Sequence, residues 1–100
     1  MKNIFKNKKE ALQFSEIYQK WRDTYQEAAL LFIPKILPDH EKKELNVKRS
    51  ALWKEEALLY NQLRTYLKQI PNKHFIKLPI LRKMAKKFGV TGPSYNNFWY

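Results

Sequence analysis

The chain contains no cysteine, two glycines, two histidines and no uninterrupted hydrophobic run long enough to cross a bilayer. Each shortage removes a class of protein. Without cysteine there is no disulfide framework and no thiolate metal site. Small secreted domains usually depend on such staples, so an intracellular setting is expected, cytoplasmic or organellar, a mitochondrion included. The opening residues Met1 to Lys6 have no apolar core of the kind a signal peptide carries. The longest apolar run, Ala28 to Ile33, falls far short of the roughly 20 residues a membrane-spanning helix needs. With only Gly89 and Gly92 there is no glycine-rich phosphate loop. His40 and His74 have no carboxylate at triad or metal-ligand spacing, and the adjacent Glu55 and Glu56 diverge by about 100° on a helix. No catalytic residue, metal, cofactor or small-molecule substrate is therefore expected, and the chain reads as a non-enzyme.

The scarcest feature is negative charge in the second half. Residues 1–56 hold 12 basic and all 9 acidic residues, whereas residues 57–100 hold 8 basic residues and no acid. Those eight are Arg64, Lys68, Lys73, Lys77, Arg82, Lys83, Lys86 and Lys87. A stretch of this kind repels itself unless something anionic lies against it, so these side chains are the candidate nucleic-acid contacts. Lysine outnumbers arginine 16 to 4, a pattern common in AT-rich genomes.

What is abundant is hydrophobic and aromatic residues, 44% and 15% of a 100-residue chain whose net charge is +11. That composition suits one folded domain with a thin core rather than a disordered chain. Residues 1–8 read as a basic N-terminal arm, and residues 9–100 as a single helical domain. From Lys9, Leu12, Phe14, Ile17, Tyr18, Trp21, Tyr25, Ala28, Ala29 and Phe32 recur at spacings of three and four as one broad apolar face of a helix that Pro34 ends. Lys20, Arg22, Asp23 and Glu27 are expected mainly on its other side.

After the proline-bounded connector from Pro34 to Pro38, Asp39 stands where an N-cap would, and a second long pattern runs through Leu45, Leu52, Leu59, Leu63 and Ile70. Ser50 marks a possible restart within it. Phe75, Ile76 and Leu78 suggest an extended piece, Pro79 a first helical residue and Gly89 a helix C-cap. No period-two alternation suggests sheet. The expected fold is all-α: a long antiparallel helical hairpin plus one or two short C-terminal helices.

Leu81 to Trp99 reads Leu-Arg-Lys-Met-Ala-Lys-Lys-Phe-Gly-Val-Thr-Gly-Pro-Ser-Tyr-Asn-Asn-Phe-Trp. A small residue, a glycine four positions on, an apolar plug and a Pro-Ser helix start resemble the core of a helix-turn-helix motif, and in part a SAP-like helix-extended-helix. The resemblance implies a second helix in the major groove, with Ser94, Asn96 and Asn97 near base edges. That segment has no Lys or Arg, a departure from most recognition helices. Leu58-Leu59-Tyr60-Asn61-Gln62-Leu63-Arg64 is similar to the Leu-Tyr-Arg signature of small mitochondrial accessory and assembly proteins, although the arginine does not follow the tyrosine directly. Tyr95, Phe98, Trp99 and Tyr100 would either close the core or dock on a partner, single-stranded RNA bases included.

Three functions follow as expectations. The first is a nucleic-acid-binding or ribonucleoprotein structural protein, RNA ahead of DNA. The second is an accessory subunit of a large protein assembly, the third a helix-turn-helix DNA-binding regulator.

Overall fold

A computed structural model describes residues 2–72 and 77–90 of the chain. Among them are three α-helices and no strand: α1 (Lys8–Leu30), α2 (Asp39–Leu67) and α3 (Lys77–Lys86). The protein is all-α. Its two long helices pack together as a hairpin and α3 closes one end.

Helix α1 begins where side chains capture its free amides. Asn7 Oδ1 accepts from the Glu10 backbone N–H at 3.0 Å, and Glu10 Oε2 reaches back to accept from the Lys6 N–H at 2.7 Å. This is the reciprocal logic of a capping box, displaced by one residue. The helix stops at Leu30, three residues earlier than the proline rule alone requires, because Leu31 turns extended (φ −70°, ψ 112°). Asp39 is not the N-cap of α2. Pro38 holds that place without a side-chain bond, its carbonyl accepting from the Glu41 and Lys42 amides, both at 3.1 Å. Asp39 and Glu41 instead sit in the first turn, favourable against the helix dipole. Ser50 causes no restart, since α2 runs unbroken for 29 residues, about 43 Å at 1.5 Å per residue.

The least exposed positions of α2 explain why it lies along α1. Lys42, Leu45, Arg49, Leu52, Glu56, Leu59, Leu63 and Tyr66, continued just past the helix by Ile70, are buried or half-buried at strictly alternating steps of three and four. On α1 the same rhythm runs through Ala11, Phe14, Tyr18, Trp21, Tyr25 and Ala28. Two such stripes interlock as an antiparallel coiled coil. The direction follows from the contacts. As the α1 partner advances from Phe14 through Trp21 and Tyr25 to Leu31, the α2 partner retreats from Tyr66 through Tyr60 and Trp53 to Arg49.

Two charged residues inside the α2 stripe set the register. Glu56 Oε1 accepts from the Trp21 indole Nε1–H at 2.9 Å, and Arg49 Nη2 donates to the Leu31 carbonyl at 3.1 Å. A slip of one turn would break both bonds, which is how a few polar seam residues specify alignment.

The core is concentrated where three elements meet. Phe5, Phe14, Tyr18, Trp21, Leu63, Ile70, Leu81 and Met84 form one buried cluster with Ala11, Leu59, Ala85 and Val90. The residues ahead of α1, expected as an arm, enter it: Phe5 is 4% exposed, with its ring centroid 5.4 Å from that of Phe14. Asn3 ties the segment down, its Nδ2 donating to the Met84 carbonyl of α3 at 3.0 Å. Arg22 departs from expectation too. It is 2% exposed rather than on the solvent side, while Leu12 and Phe32, expected inward, are 42% and 76% exposed.

Towards the other end the hairpin has no third layer among the described residues, and the molecule is long for its mass. Its radius of gyration is 16.7 Å over 55 × 25 × 23 Å, against about 13 Å for a compact 100-residue domain.

Helix α3 ends in a Schellman motif. The Val90 amide donates to the Ala85 carbonyl at 3.4 Å and the Gly89 amide to the Lys86 carbonyl at 2.9 Å. Gly89 holds the positive φ of 78° this closure needs, and Val90 and Ala85 pack as its buried apolar pair. Pro79 lies in the first turn of α3, as its third residue rather than its first, where its missing N–H costs no intrahelical bond.

Candidate nucleic-acid interface

The antiparallel hairpin carries the N-terminal residues back beside the C-terminal end of α2, and α3 packs on the same end. Charge is consequently sorted along the long axis. Residues 27–56, which form the open end, contain six acidic and six basic residues. The other described residues carry 13 basic and 3 acidic side chains, a net +10.

The eight cations singled out above fall into distinct settings. Lys83 and Lys86 on α3 and Lys87 just after it are exposed, away from the buried Leu81, Met84 and Ala85. Arg64 and Lys68 are exposed one turn apart at the end of α2. Among the described residues none of these five makes an ion pair or a side-chain hydrogen bond. Their charge is available to a ligand.

Two others are partly engaged. The Lys77 ammonium donates to Asn72 Oδ1 at 3.0 Å, and the Arg82 guanidinium lies 5.7 Å from the centroid of the buried Tyr18 ring. That is cation–π distance, and it holds Arg82 against the core. Lys73, Ser94, Asn96 and Asn97, with Tyr95, Phe98, Trp99 and Tyr100, lie outside the described residues, as do Phe75 and Ile76. Of the segment resembling a helix-turn-helix, only Leu81 to Val90 is described.

Lys2, Lys6, Lys8 and Lys9 are exposed additions that the linear charge count set apart from the site. They belong to the basic end because Phe5 is docked there. The available signal in the sequence was Phe5 itself, an aromatic residue among lysines where a free basic arm has no use for one.

Burial raises the Tyr66 phenol above its usual 10.0, and the nearby Glu10 carboxylate adds to the effect. Among the described residues no group of three or more His, Cys, Asp or Glu side chains could hold a metal ion. His40, on the open end, is solvent-exposed at 4.0 Å from Glu41. No described helix is long and apolar enough to cross a membrane.

Compared with known protein families, with characterised proteins and with solved structures, the chain matches none of them.

Proposed function

We propose that this is a non-enzymatic nucleic-acid-binding protein, a ribonucleoprotein structural component with RNA preferred over DNA, acting through its basic end. The observation that carries the reading is the sorting of charge. Among the described residues a net +10 resides outside residues 27–56, and five of its cations are exposed and unengaged. Phosphates relieve that repulsion, and each one neutralised releases condensed counterions.

Affinity for an RNA oligonucleotide should therefore fall steeply with salt. If five cations engage, the slope of log affinity against log salt is about −3.5 to −4.5, a loss of roughly 100- to 500-fold between 50 and 200 mM. Fluorescence anisotropy across that range tests it. A change below about threefold rules the reading out.

One observation favours a second reading, an accessory subunit of a larger protein assembly. At the neutral end Leu30, Phe32 and Ile36 are 81%, 76% and 94% exposed. Clustered exposed apolar residues mark protein contacts more often than nucleic-acid contacts. Co-purification that survives nuclease and high salt would favour this reading over the first.

A further inference from the structure

Helix α2 carries a feature that the charge count does not express. Residues advance about 100° each around a helix, so steps of three and four follow one flank. One such line runs through Trp53, Ala57, Tyr60, Arg64 and Lys68, all exposed, beside the seam that faces α1. It contains no carboxylate. Glu41, Glu44 and Glu55 fall on the opposite flank together with Lys48, and the Glu56 carboxylate is held in the seam by the Trp21 indole at 2.9 Å.

Trp53 and Tyr60 are 37% and 40% exposed, and each is backed by a ring of α1. Trp53 meets Tyr25 nearly perpendicularly, at 84° with centroids 5.6 Å apart, and Tyr60 rests against Trp21 at 5.9 Å. Rings supported in this way have little rotamer freedom left to lose on binding.

We infer that this flank is a stacking platform for single-stranded nucleic acid, in which Trp53 and Tyr60 each take a base and Arg64 and Lys68 follow the backbone. The inference rests on the proposed function and adds to it a site and a strand preference. Seven residues separate the two rings, about 10.5 Å along the helix, which matches roughly three stacked nucleotides at 3.4 Å each. From Trp53 to Lys68 the line covers about 22 Å, the length of about six nucleotides. The preference for single strands is physical: in a duplex the faces of the bases are already stacked on one another, so only an unpaired strand can present them to the rings. Stacking reads no sequence, so RNA and DNA single strands are both ligands.

The test compares a 12-nucleotide oligo-U, a 12-nucleotide oligo-dT and a 12-base-pair duplex by anisotropy. The proteins are the full chain, a Trp53→Leu/Tyr60→Leu variant and a Lys83→Gln/Lys86→Gln/Lys87→Gln variant, with helicity checked by circular dichroism. The native chain should prefer both single strands to the duplex. Removing the rings should weaken single-strand binding by about fivefold or more while changing duplex binding less than about twofold. Removing the lysines on and just after α3 should weaken all three ligands together and flatten the salt slope.

A folded ring variant that binds single strands like the native chain would overturn the platform and leave the salt-dependent reading intact. Absence of salt-dependent binding by the native chain would instead remove the proposed function. Photo-crosslinking of 5-iodouridine oligonucleotides to the unmodified chain gives a readout independent of any variant's folding. Crosslinks at Trp53 or Tyr60 are expected, and crosslinks confined to other residues refute the assignment.

Discussion

Replacing Phe5 with alanine decides whether the basic end is assembled as described. The side chain is 4% exposed, and its ring lies between Phe14 at 5.4 Å and Tyr66 at 5.9 Å. Truncating a buried phenylalanine generally costs about 3–5 kcal/mol, the lost transfer energy plus the cavity left behind. Here an upper bound applies. The segment ahead of α1 can undock instead of preserving a cavity, so the loss cannot exceed the free energy with which that segment is held.

With the Asn3 bond to the Met84 carbonyl lost in the same event, a cost of about 2–4 kcal/mol is expected. In a domain of this size each kcal/mol lowers the melting temperature by about 4–8 °C, so a fall of roughly 10–25 °C should be seen. Urea and thermal unfolding followed by circular dichroism provide the measurement. The samples must be stripped of nucleic acid, because a ligand of the folded state would mask the loss. Ile36→Ala, at a position 94% exposed, serves as the control and should stay within about 0.5 kcal/mol. A Phe5→Ala protein as stable as that control would show that residues 2–9 are not held in the core. Lys2, Lys6, Lys8 and Lys9 would then be no part of the basic end.

Gly89→Ala should destabilise the fold by about 1–2 kcal/mol in urea unfolding. The added methyl meets nothing within 4 Å, so the whole cost is the positive φ of 78°, and Gly89→Asn should cost less. A neutral Gly89→Ala would show that α3 does not end in the turn described. Glu56→Ala should cost about 1.5–3 kcal/mol by removing the charged acceptor of the Trp21 indole, while Glu56→Gln keeps an acceptor and should lose under half as much. Equal losses for the two variants would show that the bond adds nothing. At alkaline pH the Tyr66 phenol ionises later in the folded chain than in the unfolded one. Its contribution is complete below the unfolded value near 10.0 and disappears as pH rises through the higher folded value. The difference in stability between the native chain and Tyr66→Phe should therefore change only above about pH 10, and a constant difference across pH 9–12 would contradict the shift.

Helix positions and the all-α class were legible in the sequence because they depend on local properties. Apolar residues every three or four positions, prolines at 34, 38 and 71, and a glycine at 89 act within a turn or two of themselves. The errors arose locally as well, one settled by the neighbouring residue and the other by packing between helices. Asp39 looks like an N-cap, but the Pro38 carbonyl already takes the two amides. Arg22 looks like a solvent charge, yet it lies on a face of α1 that packing buries.

Charge shows the same division. The absence of acid after Glu56 can be counted on the page, and with it the idea of an anionic partner. Where the cations meet cannot be counted. Lys2 to Lys9 join Arg64 and Lys68 only because α2 returns antiparallel to α1, with Glu56 and Arg49 holding the alignment. Trp53 and Tyr60 likewise become a supported, half-exposed pair only when Tyr25 and Trp21 arrive beneath them. Periodicity determines which face of a helix is apolar. Which two faces meet, and what is left outside when they do, is decided by packing between residues far apart in the chain.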